Sequence, residues 1–509
     1  MAAPFPDSPF LAGFEAPCRF EGEVRDLVVN GEIPECISGT FFRVMPDPFL
    51  SPAYYNKGTH FIPFDGDGNV SAFRIHKGHV DYQQAYVRTE RFQKERAARS
   101  SLWGVYRNPF TNHPCVKAAI ESTGNTNVFY FNGKLLALKE SSLPYAMDPK
   151  TLETTGYYDF EGQVTSKSFT AHPKLDPKTG EMVCWGYEAK GNTTTDCCYF
   201  AIGPDGKKTE ECWFKAPYCG FIHDAAMTED FLVLMQVPMV CEMDRLKAGE
   251  SHWIYDYDLP MVFGVVPRRG SDSGKVRWFK WKNGFGTHTA NATQRVGKDG
   301  RKSIELDTVL VHGNALGFFP SRNAPADLTP DKLKMGVVRF TFDLSAPASS
   351  EMSQVADPTI LYDTPAEFPR IDDRFITTAT KYIYCGVAVP DPDADADAKS
   401  LVGLAGLNAL GKLNARTGEM EVCHVGPNSV VQEPVFVPRS KDAEEGDGFI
   451  IVLVNRLDKM VSDLVVVDSR QFSEGPVAVV NLPVRLRQGL HGNWVDSSEL
   501  PVEPLLNLV

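Results

Sequence analysis

The chain has 509 residues, of which 43% are hydrophobic and 23% charged, and its net charge is −13. This content is ample for a hydrophobic core, and no basic stretch suggests nucleic-acid binding. An acidic surface also argues against docking on anionic membranes. The longest apolar run, residues 449–454, is far shorter than the ~20 residues needed to span a bilayer, and residues 1–17 lack the features of a secretory signal.

The eleven cysteines are odd in number and scattered, and one pair is adjacent in sequence, Cys197 and Cys198. Buried reduced thiols in a cytoplasmic protein explain this pattern better than disulfides do. A chain of this length would normally divide into two or three domains. No linker separates it into parts, however, and we predict one domain that spans residues 1–509.

Strand patterns dominate the chain, and helical periodicity is scarce. The best helical candidate is 89–104, with Thr89 as a possible N-cap. Two β-rich runs in 128–140 are joined by Asn132-Gly133, a strong hairpin signal. Further predicted elements are strands at 231–240, 336–344, 381–390 and 449–457, a hairpin partner at 458–469, acidic loops at 391–399 and 441–448, and equivalent turns in the similar segments 176–184 and 414–423.

Four histidines stand in contexts that suggest one metal site, namely His172, His223, His288 and His491. The first and last lie 319 positions apart (491 − 172). A zinc protease places its histidines on one helix, and a zinc finger uses closely spaced cysteine pairs. Widely spaced single histidines instead require a fold in which distant segments converge on one axis. A β-propeller has this property.

Eight phrases, in this order, resemble the carotenoid cleavage oxygenase family and span nearly the whole chain. They are FDGDG at 64–68, YVRTERF at 86–92, NTNVFYFNGKLLALKES at 125–141, FTAHPKLDPKTGEM at 169–182, FIHDAAMTEDFLVL at 221–234, EFPRID at 367–372, QEPVFVPR at 432–439 and HGNWV at 491–495. Lys139, directly before Glu140, and Tyr106, 33 residues earlier (139 − 106), make the chain most similar to the stilbene-cleaving branch. The resemblance implies an all-β, seven-bladed β-propeller with a few short helices and loops that cap the active-site face.

The resemblance also implies a metal site. Iron(II) would be bound by His172, His223, His288 and His491, since four neutral imidazoles suit a ferrous ion that keeps positions open for dioxygen. Glu140, Glu367 and Glu433 would hold the second nitrogens of His223, His288 and His491, whereas His172 would have no glutamate partner. Thr126 would lie beside the open iron position. The remaining histidines are predicted to be solvated or core residues: His60, His76, His79, His113, His252, His312 and His424.

The same branch implies a phenol site in which Lys139 stabilises a phenolate and Tyr106 hydrogen-bonds the same oxygen. Phe64 and either Phe318 or Phe319 would stack on a flat substrate. The expected activity is oxidative cleavage of the alkene of a 4-hydroxystilbene or 4-hydroxystyrene (resveratrol, lignostilbene or isoeugenol type) with O2 to two aldehydes. Apocarotenoid cleavage and a catalytically inactive binding module remain alternatives. Apocarotenoid cleavage would favour a hydrophobic patch that docks on membranes. The apolar residues of segment 102–114 are too interrupted to form a strong anchor of this kind.

Overall fold

The structure is a computed structural model that describes residues 4–52, 62–270, 275–329, 333–345, 351–390 and 406–502. Its strands form seven sheets. The first sheet contains β1 (Gly22–Val24), β3 (Gly39–Pro46), β4 (Gly68–His76), β5 (His79–Tyr86) and β35 (Gly492–Asp496). The second contains β6 (Asn127–Phe131), β7 (Lys134–Leu138), β8 (Tyr145–Met147) and β9 (Thr154–Tyr157). The third contains β10 (Lys174–Leu175), β11 (Met182–Gly186), β12 (Asp196–Ile202) and β13 (Lys208–Lys215).

The fourth sheet has eight strands. They are β14 (Gly220–Phe221), β15 (Ala225–Met227), β16 (Phe231–Val240), β17 (Ile254–Asp256), β18 (Val262–Pro267), β19 (Arg277–Lys280), β22 (Ser321–Arg322) and β24 (Ser353–Gln354). The fifth sheet contains β20 (Phe285–Val296), β21 (Lys302–Val311), β23 (Met335–Asp343) and β25 (Thr359–Tyr362), and the sixth contains β26 (Ala366–Arg370), β27 (Tyr382–Val387), β28 (Ala409–Asn414) and β29 (Met420–His424).

The seventh sheet joins the two ends of the chain. It contains β2 (Val28–Gly31), β30 (Ser429–Val431), β31 (Val435–Pro438), β32 (Gly448–Arg456), β33 (Val461–Asp468) and β34 (Ala478–Asn481). The N-terminal strand β2 pairs with β34, and the C-terminal strand β35 pairs with β3 of the first sheet. These exchanged edge strands close the sheets into a ring.

Hydrophobic clusters fill the spaces between successive sheets. One cluster combines Phe41 and Phe73 of the first sheet with Ile451 and Leu464 of the seventh. Equivalent clusters lie between each other pair of neighbouring sheets. The all-β propeller prediction is therefore confirmed.

The predicted count of seven blades needs correction. Six of the sheets have the four to six strands of a regular blade, whereas the fourth is a composite of eight. Its long strand β16 pairs with β18 as far as Gln236 and with β17 from Met239 onward. Pro238 lies between these ladders and has no N–H to donate, which explains the change of partner. The structure thus has six regular blades, and the sequence pattern at 231–240 did not reveal the composite sheet.

Helices are few and short, as expected. Among the described residues the α-helices are α1 (Glu90–Ala98) and α2 (Met243–Lys247), and the 3-10 helices are Pro9–Leu11, Gly13–Glu15, Pro63–Asp65, Pro109–Thr111, Pro114–Val116, Asp373–Phe375 and Ser469–Glu474. The Thr89 side chain caps α1 by accepting from the Phe92 N–H, which confirms the predicted N-cap. The helix ends earlier than predicted because Arg99 adopts a left-handed conformation.

Predicted turns and loops can be compared directly. Asn132 and Gly133 both have positive φ between β6 and β7, as a two-residue hairpin requires. Strands β32 and β33 form the second predicted hairpin. Turns 176–180 and 414–418 make the same backbone hydrogen bond from a glycine to the residue four positions earlier. The loop predicted at 441–448 separates β31 from β32, while the loop at 391–399 and His60 lie outside the described residues.

Candidate active site

The four predicted metal ligands converge, although each comes from a different sheet. His172 lies two residues before β10, His223 lies between β14 and β15, His288 is within β20, and His491 directly precedes β35. Nε2 of His223 lies 3.1 Å from Nε2 of both His172 and His288. One ligand atom from each of the four side chains falls within 4.8 Å of the others. The cluster could hold a metal ion.

Irregularities in strand pairing orient the side chains of His288 and of its partner Glu367. The pairing of β20 with β21 shifts register between Gly286 and Thr289, so His288 lies in a bulge. Bulges redirect side chains that regular alternation would send elsewhere. Glu367 lies at a similar shift between β26 and β27, followed by Phe368 with φ of 56°. Both members of this contacting pair therefore depart from regular strand geometry.

Three buried glutamates hold the outer nitrogens of three histidines. The Nδ1 atoms of His223, His288 and His491 lie 2.5, 2.9 and 3.0 Å from carboxylate oxygens of Glu140, Glu367 and Glu433, respectively. The glutamates come from the second, sixth and seventh sheets, so each sheet contributes one residue to the centre. A carboxylate on Nδ1 fixes the tautomer that leaves Nε2 free to bind a metal.

Glu433 has the most partners of the three glutamates. It contacts Arg370 at 3.3 Å and accepts from the Gly492 N–H at 2.9 Å, in addition to His491. Burial would raise its pKa, but the imidazole and the guanidinium lower the pKa to about 2. This carboxylate is therefore ionised across the neutral range.

His172 differs from the other three histidines. Its backbone N–H donates to the Thr170 hydroxyl at 2.8 Å, and none of the three glutamates contacts its ring in the described part of the chain. Burial and then the neighbouring imidazoles lower its pKa well below the usual value, which favours the neutral ring. Neutral imidazoles of this kind are the donors that divalent transition metals prefer. The donor set of the centre fits such an ion.

The predicted phenol-site residues form a ring of contacts beside this centre. The Lys139 ammonium lies 5.2 Å from the centroid of the Tyr106 ring and donates to the Phe64 carbonyl at 3.2 Å. The Tyr106 ring lies 5.8 Å from Phe319, which lies 5.0 Å from Phe318. The aromatic ring of Phe318 lies 5.2 Å from that of Phe64, and this contact closes the circle of contacts among the five residues.

Lys139 and Glu140 connect the two groups of residues. They follow β7 directly and are both buried, at 4% and 5% exposure. Alternation along the strand places them on opposite sides, so Glu140 contacts His223 while Lys139 contacts Tyr106. Burial lowers the pKa of Lys139 to about 8, with Arg107 and Arg91 also lowering it and Glu140 and Asp65 opposing the shift. Burial likewise raises the pKa of Tyr106.

Thr126 and its neighbour Asn125 precede β6. The Thr126 hydroxyl donates to Oδ1 of Asn125 at 3.2 Å, and the same oxygen accepts from Lys139 at 3.2 Å. The Asn125 amide nitrogen donates to the carbonyls of Phe64 and Gly66. Asn125 thus links three segments, and it is not among the residues predicted from the sequence. Its place directly before Thr126 in a matched phrase was the available signal.

Asp224 and Arg370 were also missed. Asp224 accepts from the Thr289 N–H and hydroxyl and from Lys174, and so ties the segments that carry His223 and His288. Its position directly after His223 was the only sequence signal. The guanidinium of Arg370 contacts Glu433, and it was identifiable only as part of the EFPRID phrase.

A cavity of about 320 Å³ reaches the centre, and its wall includes His172, His288 and His491. Charged and amide side chains line much of the rest, including Lys174, Asp224 and Asn493. None of the five predicted phenol-site residues is part of this wall. The cavity therefore reaches three of the four histidines without contacting the predicted phenol-site residues.

A second buried cluster contains Glu188, Cys241 and His252. Glu188 accepts from Arg107 at 2.8 Å and from His252 at 2.9 Å. Because a guanidinium already neutralises this carboxylate, the cluster is poorly suited to a cation. His252 is a buried, hydrogen-bonded core residue, as predicted, whereas His79 lies at the surface beside Asp26.

No disulfide joins any of the eleven cysteines, all of which lie in the described ranges. Seven of them are buried, as predicted, whereas Cys36 and Cys115 are exposed. Within the described ranges, no helix has the length and apolarity needed to cross a membrane.

Several known proteins are similar to this chain over most of its length. The family model described as retinal pigment epithelial membrane protein (RPE65) matches residues 15–496. Resveratrol cleavage oxygenase 1 of Botryotinia fuckeliana is 46% identical, over 98% of this chain and 88% of that protein. Carotenoid cleavage oxygenase 1 of Neurospora crassa is 45% identical, over 97% and 91%. The crystal structure of Pseudomonas brassicacearum lignostilbene dioxygenase superposes with a TM-score of 0.89 at 40% identity, over 97% and 100%. The chain belongs to the RPE65/carotenoid cleavage oxygenase family.

Proposed function

We propose that the protein is a non-haem iron(II) dioxygenase that cleaves the alkene of a 4-hydroxystilbene or 4-hydroxystyrene. The carbon–carbon double bond breaks and each carbon gains one oxygen atom from O2, so the products are two aldehydes. The observation that carries this proposal is the position of Lys139, a buried ammonium one residue from the glutamate that holds His223. The names of two relatives, a resveratrol cleavage oxygenase and a lignostilbene dioxygenase, support the substrate class.

His172, His223, His288 and His491 would hold the iron, which supplies the site for dioxygen activation when it is bound. Glu140, Glu367 and Glu433 keep three imidazoles in the tautomer that presents Nε2. Four neutral nitrogen donors without a carboxylate in direct contact leave the charge of a divalent ion largely uncompensated, which favours binding of an electron-rich partner.

Lys139 would bind the phenolic oxygen of the substrate and favour the phenolate. Negative charge on that oxygen is delocalised through the aromatic ring into a conjugated alkene, which becomes more reactive toward oxygen. Tyr106 would donate its hydroxyl proton in a hydrogen bond to the same oxygen, since burial keeps it protonated. The rings of Phe64, Phe318 and Phe319 would hold the flat substrate by edge and face contacts.

Thr126 would limit the space beside the metal. It is buried, and its hydroxyl is engaged by Asn125. Engagement of the hydroxyl orients the side chain and reduces its freedom to bind a ligand itself. This role follows from the family resemblance and from burial together.

Apocarotenoid cleavage by the same centre is the second candidate. It is favoured by the 45% identity to a protein named carotenoid cleavage oxygenase 1. An apocarotenoid is apolar along its length, however, and would leave the buried ammonium of Lys139 without an anionic partner, which is costly.

A binding module without catalysis is a third possibility, and the iron content of protein purified without oxygen distinguishes it from both enzymes.

Turnover of resveratrol, isoeugenol and a C30 apocarotenal by one iron-loaded preparation tests the proposal. We expect aldehyde products from the two phenols at rates far above that from the apocarotenal. Preferential cleavage of the apocarotenal would replace the proposed function with the second candidate. The lack of disulfides among the eleven described cysteines supports a cytoplasmic location, which is part of the same proposal.

A further inference from the structure

The side-chain amide of Asn125 is fully buried and all its polar atoms are engaged. Nδ2 donates to the carbonyl oxygens of Phe64 and Gly66 at 2.8 and 2.6 Å. Oδ1 accepts from Lys139 and from Thr126, both at 3.2 Å. Since two carbonyls require a donor, the amide can have only this orientation, with its oxygen toward the ammonium.

The ammonium of Lys139 has only neutral partners in the described part of the chain. They are the Phe64 carbonyl, the Asn125 amide oxygen and the face of the Tyr106 ring. Two carboxylates influence it from farther away, but each has its own partner. Glu140 contacts His223 at 2.5 Å, and Asp65 contacts Arg91 at 2.7 Å.

Two cations are close enough to act on Lys139 as well, namely Arg107 and Arg91. Arg107 is paired with Glu188 and Arg91 with Asp65. Lys139 is therefore a buried charge with no counter-ion in direct contact among the described residues. A buried charge without a partner is costly, and an anionic ligand removes that cost.

We propose that Asn125 is a positioning residue whose neutral amide holds the Lys139 ammonium while leaving its charge for the phenolate of the substrate. This inference rests on the proposed function and adds a specificity determinant to it. An aspartate at this position would keep an oxygen near Lys139 but would supply a permanent counter-ion. It would also replace the donor to two carbonyls with an acceptor.

The test measures binding of 4-nitrophenol, which has no alkene to cleave and whose phenolate absorbs visible light. Iron-loaded wild type should bind it as the phenolate at pH 7. The variant N125A removes the bond to Lys139 and should weaken phenolate binding about tenfold or more, the scale of a hydrogen bond to a charged group. N125D should abolish the phenolate spectrum of the bound ligand, since the ammonium is already paired. Both variants should retain their iron.

Asn283 provides a matched control. Its amide also donates to two backbone carbonyls, those of Asp256 and Leu259, and its oxygen accepts from the Tyr255 hydroxyl. N283A should lower the melting temperature by an amount similar to N125A and leave 4-nitrophenolate affinity within about twofold of wild type, since separate sites act independently.

The outcomes separate this inference from the proposed function. If wild type cleaves phenolic alkenes and both N125A and N125D bind 4-nitrophenolate as wild type does, only the role of Asn125 is overturned. Wild type that neither cleaves phenolic alkenes nor binds 4-nitrophenolate would overturn the proposed function. If N125D does not fold, N125A still decides, because its spectrum and affinity are compared with those of N283A.

Discussion

The ammonium of Lys139 faces the ring of Tyr106, 5.2 Å from its centroid. A cation over an aromatic face is stabilised by about 0.5–2 kcal/mol, with the larger value for desolvated pairs. The ring and the hydroxyl of Tyr106 can therefore serve different purposes. The ring stabilises the Lys139 ammonium without substrate, whereas the hydroxyl would act only on a bound phenolic oxygen, as proposed above.

Replacing Lys139 by methionine separates phenol binding from iron binding. Methionine keeps much of the length and volume of the side chain but has no charge, so turnover of 4-hydroxystilbenes should fall by at least ~100-fold, or ~2.7 kcal/mol. Iron content should not change. Y106F, which keeps the ring, should cost less than Y106L, which loses it. Unchanged kinetics of iron-loaded K139M on resveratrol would remove phenol recognition from this residue and favour the apocarotenoid candidate.

The substrate should need a free hydroxyl para to its alkene. A 4-methoxy analogue cannot form a phenolate, and it leaves the buried charge of Lys139 without a partner. We expect kcat for the methoxy compound to be far below that for the parent phenol at saturating concentration. Equal rates for the two compounds would contradict the phenolate mechanism.

The pH dependence of kcat/KM should report Lys139. Its pKa is lowered to about 8, first by burial, while a substrate phenol has a pKa of about 10. If cationic Lys139 binds the phenolate, kcat/KM should rise with pH up to about 8, stay level as loss of the lysine proton offsets phenol ionisation, and fall above about 10. K139M should lack the break near pH 8. A profile that is flat at lower pH and falls above 8 would indicate a neutral bound phenol.

Each of the four clustered histidines should be required for iron. Replacing His172, His223, His288 or His491 by alanine removes one of the ligand atoms that lie within 4.8 Å of each other. We expect loss of most bound iron and of activity in every case, measured by metal analysis alongside turnover. A variant with full iron and near-normal turnover would show that its histidine is not a ligand.

The three glutamates should not be equally tolerant of glutamine. E140Q leaves an amide oxygen for His223 and should cost ~10–100-fold in activity or metal affinity. E433Q should cost more, because Oε1 faces both His491 and Arg370 and Oε2 accepts from Gly492, so an amide NH2 must oppose a donor. Comparison of iron affinity in the two variants checks this order. Equal losses would mean that Arg370 and Gly492 do not matter.

Most residues of the candidate site could be predicted from the sequence, but only through the family resemblance. Spacing alone cannot bring His172 and His491 together, because their approach depends on closure of the whole ring of sheets. The hairpin at Asn132-Gly133 and the N-cap at Thr89 were predictable because both depend on local backbone preference.

Features that depend on long-range pairing were not predictable. The composite fourth sheet follows from two partners, β17 and β18, that pair with β16 on either side of Pro238 and that both follow helix α2 in the chain. Asn125 lies in a matched phrase, but its contacts could not be predicted because its partners Phe64 and Lys139 lie 61 and 14 positions away.

The strand that closes the ring also follows the final histidine of the metal cluster. His491 reaches the centre only when β35 pairs with β3. During synthesis, three ligands emerge long before the fourth, so a full set of donors exists only after the two ends of the chain have met. A metal ion held by these four histidines would therefore link metal affinity to ring closure, and it would stabilise the closed ring relative to an opened one. Retention of such a metal ion would then indicate that the ring of sheets has closed.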